Sequence, residues 1–240
     1  MSNGIFGRLI DRDTDDQWIS VSDLMAGLMI VFLFIAITYI RDAIEEQKKI
    51  EEIAITWREG QINIYEALKQ EFKDDFPKWN AEIEKETLII RFNNPEVLFE
   101  QGSLELAEKF RNILSSFCPR YLNVLVNFRD SIEEVRIEGH TSSEWNNTNP
   151  LSYEAYFGNM ALSQGRTRSV LQYCIGLDFG GQNWLKGWAK EKLTANGLSS
   201  SRLVLENGRE NKQRSRRVEF RVQTKVKDRI VKIIETIDAR

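Results

Sequence analysis

Trp18-Ile-Ser-Val-Ser-Asp-Leu-Met-Ala-Gly-Leu-Met-Ile-Val-Phe-Leu-Phe-Ile-Ala-Ile-Thr-Tyr-Ile40 is the only long apolar run in a chain of 240 residues. From Leu24 to Ile40 it carries no charge. At 1.5 Å of rise per helical residue it extends roughly 34 Å, enough to cross a hydrocarbon core of ~30 Å. Its one acid, Asp23, then lies about 7–8 Å inside one end. A carboxylate at that depth costs a few kcal/mol unless it meets water or a partner, so an acid inside a span is a functional site by default. Ser20, Ala26 and Gly27 share its helical face, and small residues let another helix approach closely. The plainer alternative is an acid at the interface that snorkels to water and marks the helix start. We favour an ion relay.

Working outward, the head MSNGIFGRLIDRDTDDQW is long and acidic, unlike the short basic start of a secretory signal, so the span reads as an uncleaved anchor. Arg8 and Arg12 on one side compete with Arg41, Lys48 and Lys49 on the other, and basic residues alone leave the orientation open. Ile5, Phe6, Leu9 and Ile10 fit one face of a short amphipathic segment at the membrane surface within residues 1–17. Asp11, Asp13, Asp15 and Asp16 could hold a hard cation, but they lack the glycine and distal glutamate of a Ca²⁺ loop and read as a solvated run. Trp18 reads as an interfacial anchor.

After the span (18–40), residues 41–81 are rich in helix formers and carry apolar residues at drifting helical spacing. This predicts a helical linker that pairs with a second copy or lies on its own domain. From about residue 82 the pattern mixes strands and helices, giving an α+β or α/β sandwich over 82–240. Expected strands are Glu86–Phe92, a short extended Val97–Phe99, Val124–Phe128, Val135–Glu138, Arg202–Leu205 and Val218–Val222. Expected helices are Leu104–Phe117, stopped by Pro119, then Met160–Ile175, Trp184–Ala195 and Ile230–Ile237. Asn93-Asn94-Pro95 reads as a turn and Gly180-Gly181 as a break.

The net charge of −3 gives no sign of a nucleic-acid protein. One histidine, two cysteines and no phosphate loop or metal spacing argue against an enzyme and supply no cofactor site.

Two blocks resemble a known family arrangement. Ser22-Asp-Leu-Met-Ala-Gly-Leu-Met29, leading into a Phe-rich apolar helix, resembles the single transmembrane helix of MotB-type stator subunits. Leu98-Phe-Glu-Gln-Gly-Ser103, Ile137-Glu-Gly-His-Thr141, Leu162-Ser-Gln-Gly-Arg166 with Val170, and Arg216-Arg-Val-Glu219 resemble, in order, an OmpA-like peptidoglycan-binding domain. The resemblance implies a βαβαβ sandwich and an inner-membrane chain with its N-terminus cytoplasmic and its domain periplasmic. It also implies a homodimer inside a ring of MotA-like multi-span partners. Asp23 would relay H⁺, with Na⁺ the alternative ion. The compact form resembles motor subunits of Zorya anti-phage defence more than flagellar stators, and a passive wall tether is the further alternative.

By the same resemblance Arg166 meets the carboxylate of a diaminopimelate stem, with Thr141, Asn159 and Leu162 around it, while Arg216 and Arg217 read first as ordering the loop before the last strand, with a direct ligand contact by Arg217 second. Two positions depart from the family pattern: Gly158 stands where a tyrosine is frequent, and Ser142 replaces the aspartate that holds the ligand's ammonium end. His140 matches a family position and reads as a packed or hydrogen-bonded residue. In that layout the helices bearing Cys118 and Cys174 pack on one face. A disulfide between them would close more than fifty residues and contribute ~3–4 kcal/mol in the chain-entropy model, against two buried free thiols as the alternative.

Overall fold

The computed structural model describes residues 7–93, 98–100 and 102–225, with side chains from residue 21. The amphipathic face at Ile5 and Phe6, the acidic side chains of 11–16, Trp18's side chain, Asn94-Pro95, Val97 and the helix at 230–237 lie outside what is described.

Helix α1 runs Gly7–Glu71. Among the described residues it is the one helix long and apolar enough to cross a membrane, and its side chains from Val21 to Ile40 are exposed. The chain divides into two compact units, one containing the residues up to Ile55 and the other beginning at Thr56. The linker expected over 41–81 is therefore shorter on its domain side. Ile64, Leu68 and Phe72, one face at i, i+4 and i+8, are fully buried in the domain core. Arg120 ties down the end of this helix. Its guanidinium donates to the Glu71 carboxylate (2.6 Å), the Glu71 carbonyl (2.7 Å) and Asp75 (2.8 Å), and it lies over the Phe72 ring. The carbonyl bond satisfies a backbone acceptor that a helix C-terminus leaves open.

A single turn, α2 (Phe76–Trp79), leads into strand β1 (Ala81–Glu84), which pairs antiparallel with β2 (Ile89–Phe92). The strand expected over 86–92 thus begins only at Ile89, as the second arm of a hairpin whose turn holds Leu88 at positive φ and whose first arm was not expected. Helix α3 (Glu108–Val126) follows, then β3 (Ile132–His140), α4 (Tyr153–Gly176), α5 (Asn183–Lys192) and β4 (Leu193–Gly197). A two-residue ribbon, β5 (Leu205–Glu206) with β6 (Arg209–Glu210), precedes the turn α6 (Lys212–Ser215) and the last strand, β7 (Arg217–Thr224). The five-stranded sheet has the order β1-β2-β7-β3-β4, with β3 and β4 parallel and the other neighbours antiparallel. The domain is the expected α+β sandwich, with β7 inserted between β2 and β3.

Helix α3 corrects two expectations together. It starts at Glu108 rather than Leu104, and it does not stop at Pro119, which lies inside it. Proline removes one backbone donor and costs roughly 3 kcal/mol in a helix interior. Here the orphaned acceptor is the carbonyl of Ser115, an exposed residue that water can reach. Leu114, Phe117, Cys118, Tyr121, Leu122 and Leu125 continue one buried face across the break. Burying such side chains contributes about 1.5–3 kcal/mol each and outweighs the proline. Val124–Phe128, expected as a strand, is therefore the helix end and the turn after it. Phe117 stacks on Tyr121 and meets Phe92 and Phe220 edge-on, joining α3 to β2 and β7.

Three other boundaries moved. Ser152 caps α4 through its Oγ, which accepts from the Ala155 N–H (3.1 Å), so that helix begins seven residues before Met160. The helix expected to Ala195 ends at Lys192, because Leu193–Gly197 is drawn into the sheet beside β3 despite its low strand propensity. The strand expected at Arg202–Leu205 reduces to Leu205–Glu206 in the small ribbon. Gly180 and Gly181 break the chain at positive φ, as expected.

Cys118 of α3 and Cys174 of α4 are joined by a disulfide, with Cα atoms 5.6 Å apart. The bridge closes a separation of 56 residues, for which the chain-entropy model gives about 4 kcal/mol. Thiol alkylation and mass spectrometry of the unreduced protein should find the Cys118–Cys174 peptide pair and no alkylated thiol. Cys118→Ser should lower the urea midpoint, and two freely alkylated cysteines would contradict the bridge.

Candidate wall-binding cleft and membrane acid

The C-terminal end of β3 and the start of β7 meet at one edge of the sheet, His140 opposite Arg217. Between them and α4 lies a cleft lined by Leu98, Phe99, His140, Arg166, Arg216 and Arg217 among others. Gly139 lets α4 come this close: a Cβ there would meet the Thr167 methyl at 2.6 Å and the Ser163 carbonyl oxygen at 2.9 Å.

Arg166 is half-buried on α4. Its Nε donates to the Ser103 carbonyl (3.0 Å), one terminal nitrogen donates to the Glu100 carbonyl (3.3 Å), and the guanidinium lies 4.7 Å over the Phe99 ring. Burial, helped by the nearby Arg216, pushes its pKa down to about 10, so it remains a cation at neutral pH. Among the described residues no carboxylate pairs with it in an ion pair, although Arg216 reaches Glu144 at 3.9 Å. The cleft therefore presents an oriented cation with hydrogen-bonding capacity left for an incoming carboxylate.

Thr141 and Ser142 are buried at the head of the loop that follows β3. The Thr141 N–H donates to the Ser199 carbonyl (3.0 Å), while its Oγ1 is buried with no hydrogen-bond partner. Asn159 is buried and donates to the Glu144 carbonyl (3.1 Å), which pins the same loop to α4. Leu162 is half-buried. Gly158 has a clear reason to lack a side chain: the Trp145 indole lies in the space that a Cβ would occupy.

Arg217 takes the ordering role expected of it ahead of a direct ligand contact. Though it lines the cleft, its guanidinium is buried and donates to Glu219 (2.7 Å) and to the Ser215 (3.1 Å) and Arg202 (3.2 Å) carbonyls. It shapes the cleft from beneath rather than presenting a free cation.

Glu138, His140 and Glu219 have ligand atoms within 4.8 Å of one another, close enough to suggest a metal site. The surrounding charge opposes that. Glu219 accepts from Arg91 and Arg217, and Glu138 accepts from Arg221 and Arg202. Four guanidiniums already neutralise two carboxylates. Burial pushes Glu219 up, but contact with His140 and the Arg217 and Arg91 guanidiniums hold it well below the usual carboxylate range. The His140 Nε2 lies 3.4 Å from Glu219, and burial together with Arg217 holds its pKa below the ordinary histidine value.

Sequence reasoning missed Glu210 and Trp145. Glu210 lies outside every strand and helix expected from the sequence. Its carboxylate accepts from the Ser143 N–H (3.0 Å) and from the Ser143 hydroxyl, beside Thr141 and Ser142. An acid inside NGRENKQRSRR gives no local signal that it will reach back to another loop.

In the other unit, Asp23 is exposed on the apolar helix, with Ala26 and Gly27 in the following turn.

No protein-family model matches the chain. It is 49% identical over 230 residues to Zorya protein ZorB of Escherichia coli, a match spanning 95% of this chain and 97% of that protein. Among solved structures it is similar to a MotB-like protein from Desulfovibrio vulgaris, with a TM-score of 0.50 and 24% identity over 71% of this chain and 98% of that one. That second likeness bears on the fold.

The lowered His140 pKa carries a sign. Below an ordinary histidine pKa near 6.5 the unfolded chain takes up a proton that the folded chain refuses. Its share of stability is therefore full above about pH 6.5 and falls by up to about 1.4 kcal/mol per pH unit on the acid side. Urea titrations at pH 7.5 and pH 5.5 should show this loss in the wild type and a smaller one in His140→Gln. Equal losses in the two proteins would assign the pH dependence elsewhere.

Proposed function

The chain belongs to the ZorB family, and on that premise we propose that it is a non-enzymatic motor subunit of Zorya anti-phage defence, driven by ions and anchored to the cell wall. The observation that carries the reading is the combination of an acid in the long apolar run and a cleft whose cation, Arg166, forms no ion pair with a carboxylate among the described residues. Each half supplies what the other needs: torque requires an ion path, and torque has an effect only if one part is held.

In this reading the helix crosses the inner membrane with its N-terminus in the cytoplasm, and the mixed-sheet domain lies in the periplasm. The Cys118–Cys174 bridge supports that compartment, since disulfides persist in oxidising surroundings. Two copies sit within a ring of ZorA-like, MotA-type multi-span subunits, and the small face of Ala26 and Gly27 lets a neighbouring helix approach Asp23. Asp23 takes up a proton on one side and releases it on the other, its charge tolerated in the span by partners in the ring. Sodium in place of H⁺ is the alternative coupling ion.

On the wall side, Arg166 binds the carboxylate of a diaminopimelate stem with its planar fork. Thr141, Ser142, Asn159 and Leu162 surround the ligand, and Arg217 supports the cleft from below. A flagellar-type stator would use the same parts. A passive wall tether would have no use for an acid in the span, and Asp23 separates these readings.

Asp23→Asn should reduce phage protection to that of cells lacking the protein while membrane insertion and protein level stay at wild type; full protection with Asn at 23 would remove the relay. Arg166→Ala with Leu162→Ala should weaken co-sedimentation with purified sacculi roughly tenfold to hundredfold, the scale of ~1.5–3 kcal/mol for a charged hydrogen-bond pair. Unchanged co-sedimentation would take wall binding away from this cleft.

A further inference from the structure

The cleft that holds Arg166 holds a second exposed cation. Arg216 lines the same cleft, and its charge is felt at Arg166, whose pKa it helps to lower. The two come from unrelated elements, Arg166 from α4 and Arg216 from the C-cap of the α6 turn. Like charges in a partly enclosed cleft repel, because less water screens them there.

The surrounding acids leave much of that charge unanswered. Glu138 and Glu219 are buried and committed to Arg221, Arg202, Arg91 and Arg217. Glu144 holds Lys212 at 2.5 Å and lies 3.9 Å from Arg216, beyond hydrogen-bond reach. Glu100 gives Arg166 its backbone carbonyl (3.3 Å), while its exposed side chain forms no ion pair with either arginine among the described residues. The loop after β3 opens Thr141-Ser142-Ser143 and brings no acid. Arg166 spends two N–H donors on carbonyls, and the Arg216 side chain donates no hydrogen bond among the described residues. One entering carboxylate would neutralise one guanidinium and leave the other in place. A ligand with two anionic groups neutralises both and turns their repulsion into shared attraction.

We propose that Arg216 is a second ligand contact, which makes the cleft selective for a peptide end that bears two carboxylates. Arg166 takes the carboxylate of the diaminopimelate side chain, and Arg216 takes the terminal carboxylate of the residue that follows it. The inference rests on the wall-binding reading and deepens it. A stem with a free end carries both groups, whereas a stem joined to a neighbour through its terminal carboxyl has lost one. The cleft therefore distinguishes free stem ends from joined ones.

The test uses the full-length protein in detergent and two synthetic, N-acetylated stem peptides ending in diaminopimelate-alanine. One has the terminal carboxylate free, and the other has it as the carboxamide. By calorimetry the wild type should bind the carboxamide roughly tenfold more weakly, the scale of one charge-assisted contact. Arg216→Gln should bind the free-carboxylate peptide more weakly by the same factor and no longer distinguish the two. Its melting temperature should be unchanged, since the Arg216 side chain is 42% exposed. Arg166→Gln should weaken both peptides and keep the preference, because it holds the other carboxylate. Equal binding of the two peptides by the wild type would overturn the Arg216 contact and leave wall binding at Arg166 standing. A preference that survives in Arg216→Gln, or that vanishes in Arg166→Gln instead, would overturn it as well. Wild-type protein that binds neither peptide at millimolar concentration would overturn the wall-binding reading, and this inference with it.

Discussion

Glu138 on β3 and Glu219 on β7 are directly opposed in the sheet, and both are almost completely buried. Like charges facing each other across two strands repel, and in a buried pair little water screens them. The register that creates this pair is the one that turns Val135, Ile137, Val218, Phe220 and Val222 into the core. A slip of one residue would relieve the carboxylates and expose that apolar face. The structure keeps the register and neutralises the charges instead. Arg91 on β2 and Arg217 bond Glu219, while Arg221 and Arg202 bond Glu138. Removing Glu219 would leave the buried Arg217 guanidinium without its ion-pair partner among the described residues, which typically costs about 3–5 kcal/mol for a broken buried pair, whereas Arg91 would keep Glu82.

This lattice is also the floor of the cleft. Arg217 is held by Glu219 and by two carbonyls, so the chain entering β7 has little freedom. Arg216, the residue before it, is thereby carried to the side of Arg166, where its charge helps lower the Arg166 pKa. His140 closes β3 against the same acids and leads straight into Thr141 and Ser142. The Arg-Arg-Val-Glu and Glu-Gly-His-Thr motifs thus perform one task from two strands: they fix where the two loops leave the sheet. In the proposed function, ligand contact then falls to residues delivered by α4 and by those loops.

What the sequence revealed follows from how local each cause is. The long apolar helix was legible because seventeen uncharged residues in a row are a strong local signal. Arg166, Thr141 and Asn159 were singled out by the family resemblance, and the structure sets the loop after β3 beside α4 through the Asn159–Glu144 bond. Helix α3 was misread because proline is a strong local signal, whereas the buried face that carries the helix past Pro119 depends on Phe92 and Phe220 from distant strands. Strand β4 was missed for a related reason: Leu-Thr-Ala-Asn-Gly has weak strand propensity and is extended because β3 offers it a parallel edge. Glu210 was invisible because its partner is 67 residues away. The ordering role of Arg217 was expected, but its acid was not, because a motif shows that a cation is required and not which carboxylate it faces.

The central claim is that one chain crosses the membrane at one end and is held by the wall at the other, so that ion flow works against a fixed point. Single-molecule tracking of a fluorescent full-length protein in living cells addresses it most directly. The account predicts stationary molecules in cells with an intact wall, and membrane-limited diffusion after the wall is digested under osmotic protection. Diffusion at the same rate before and after digestion would contradict it.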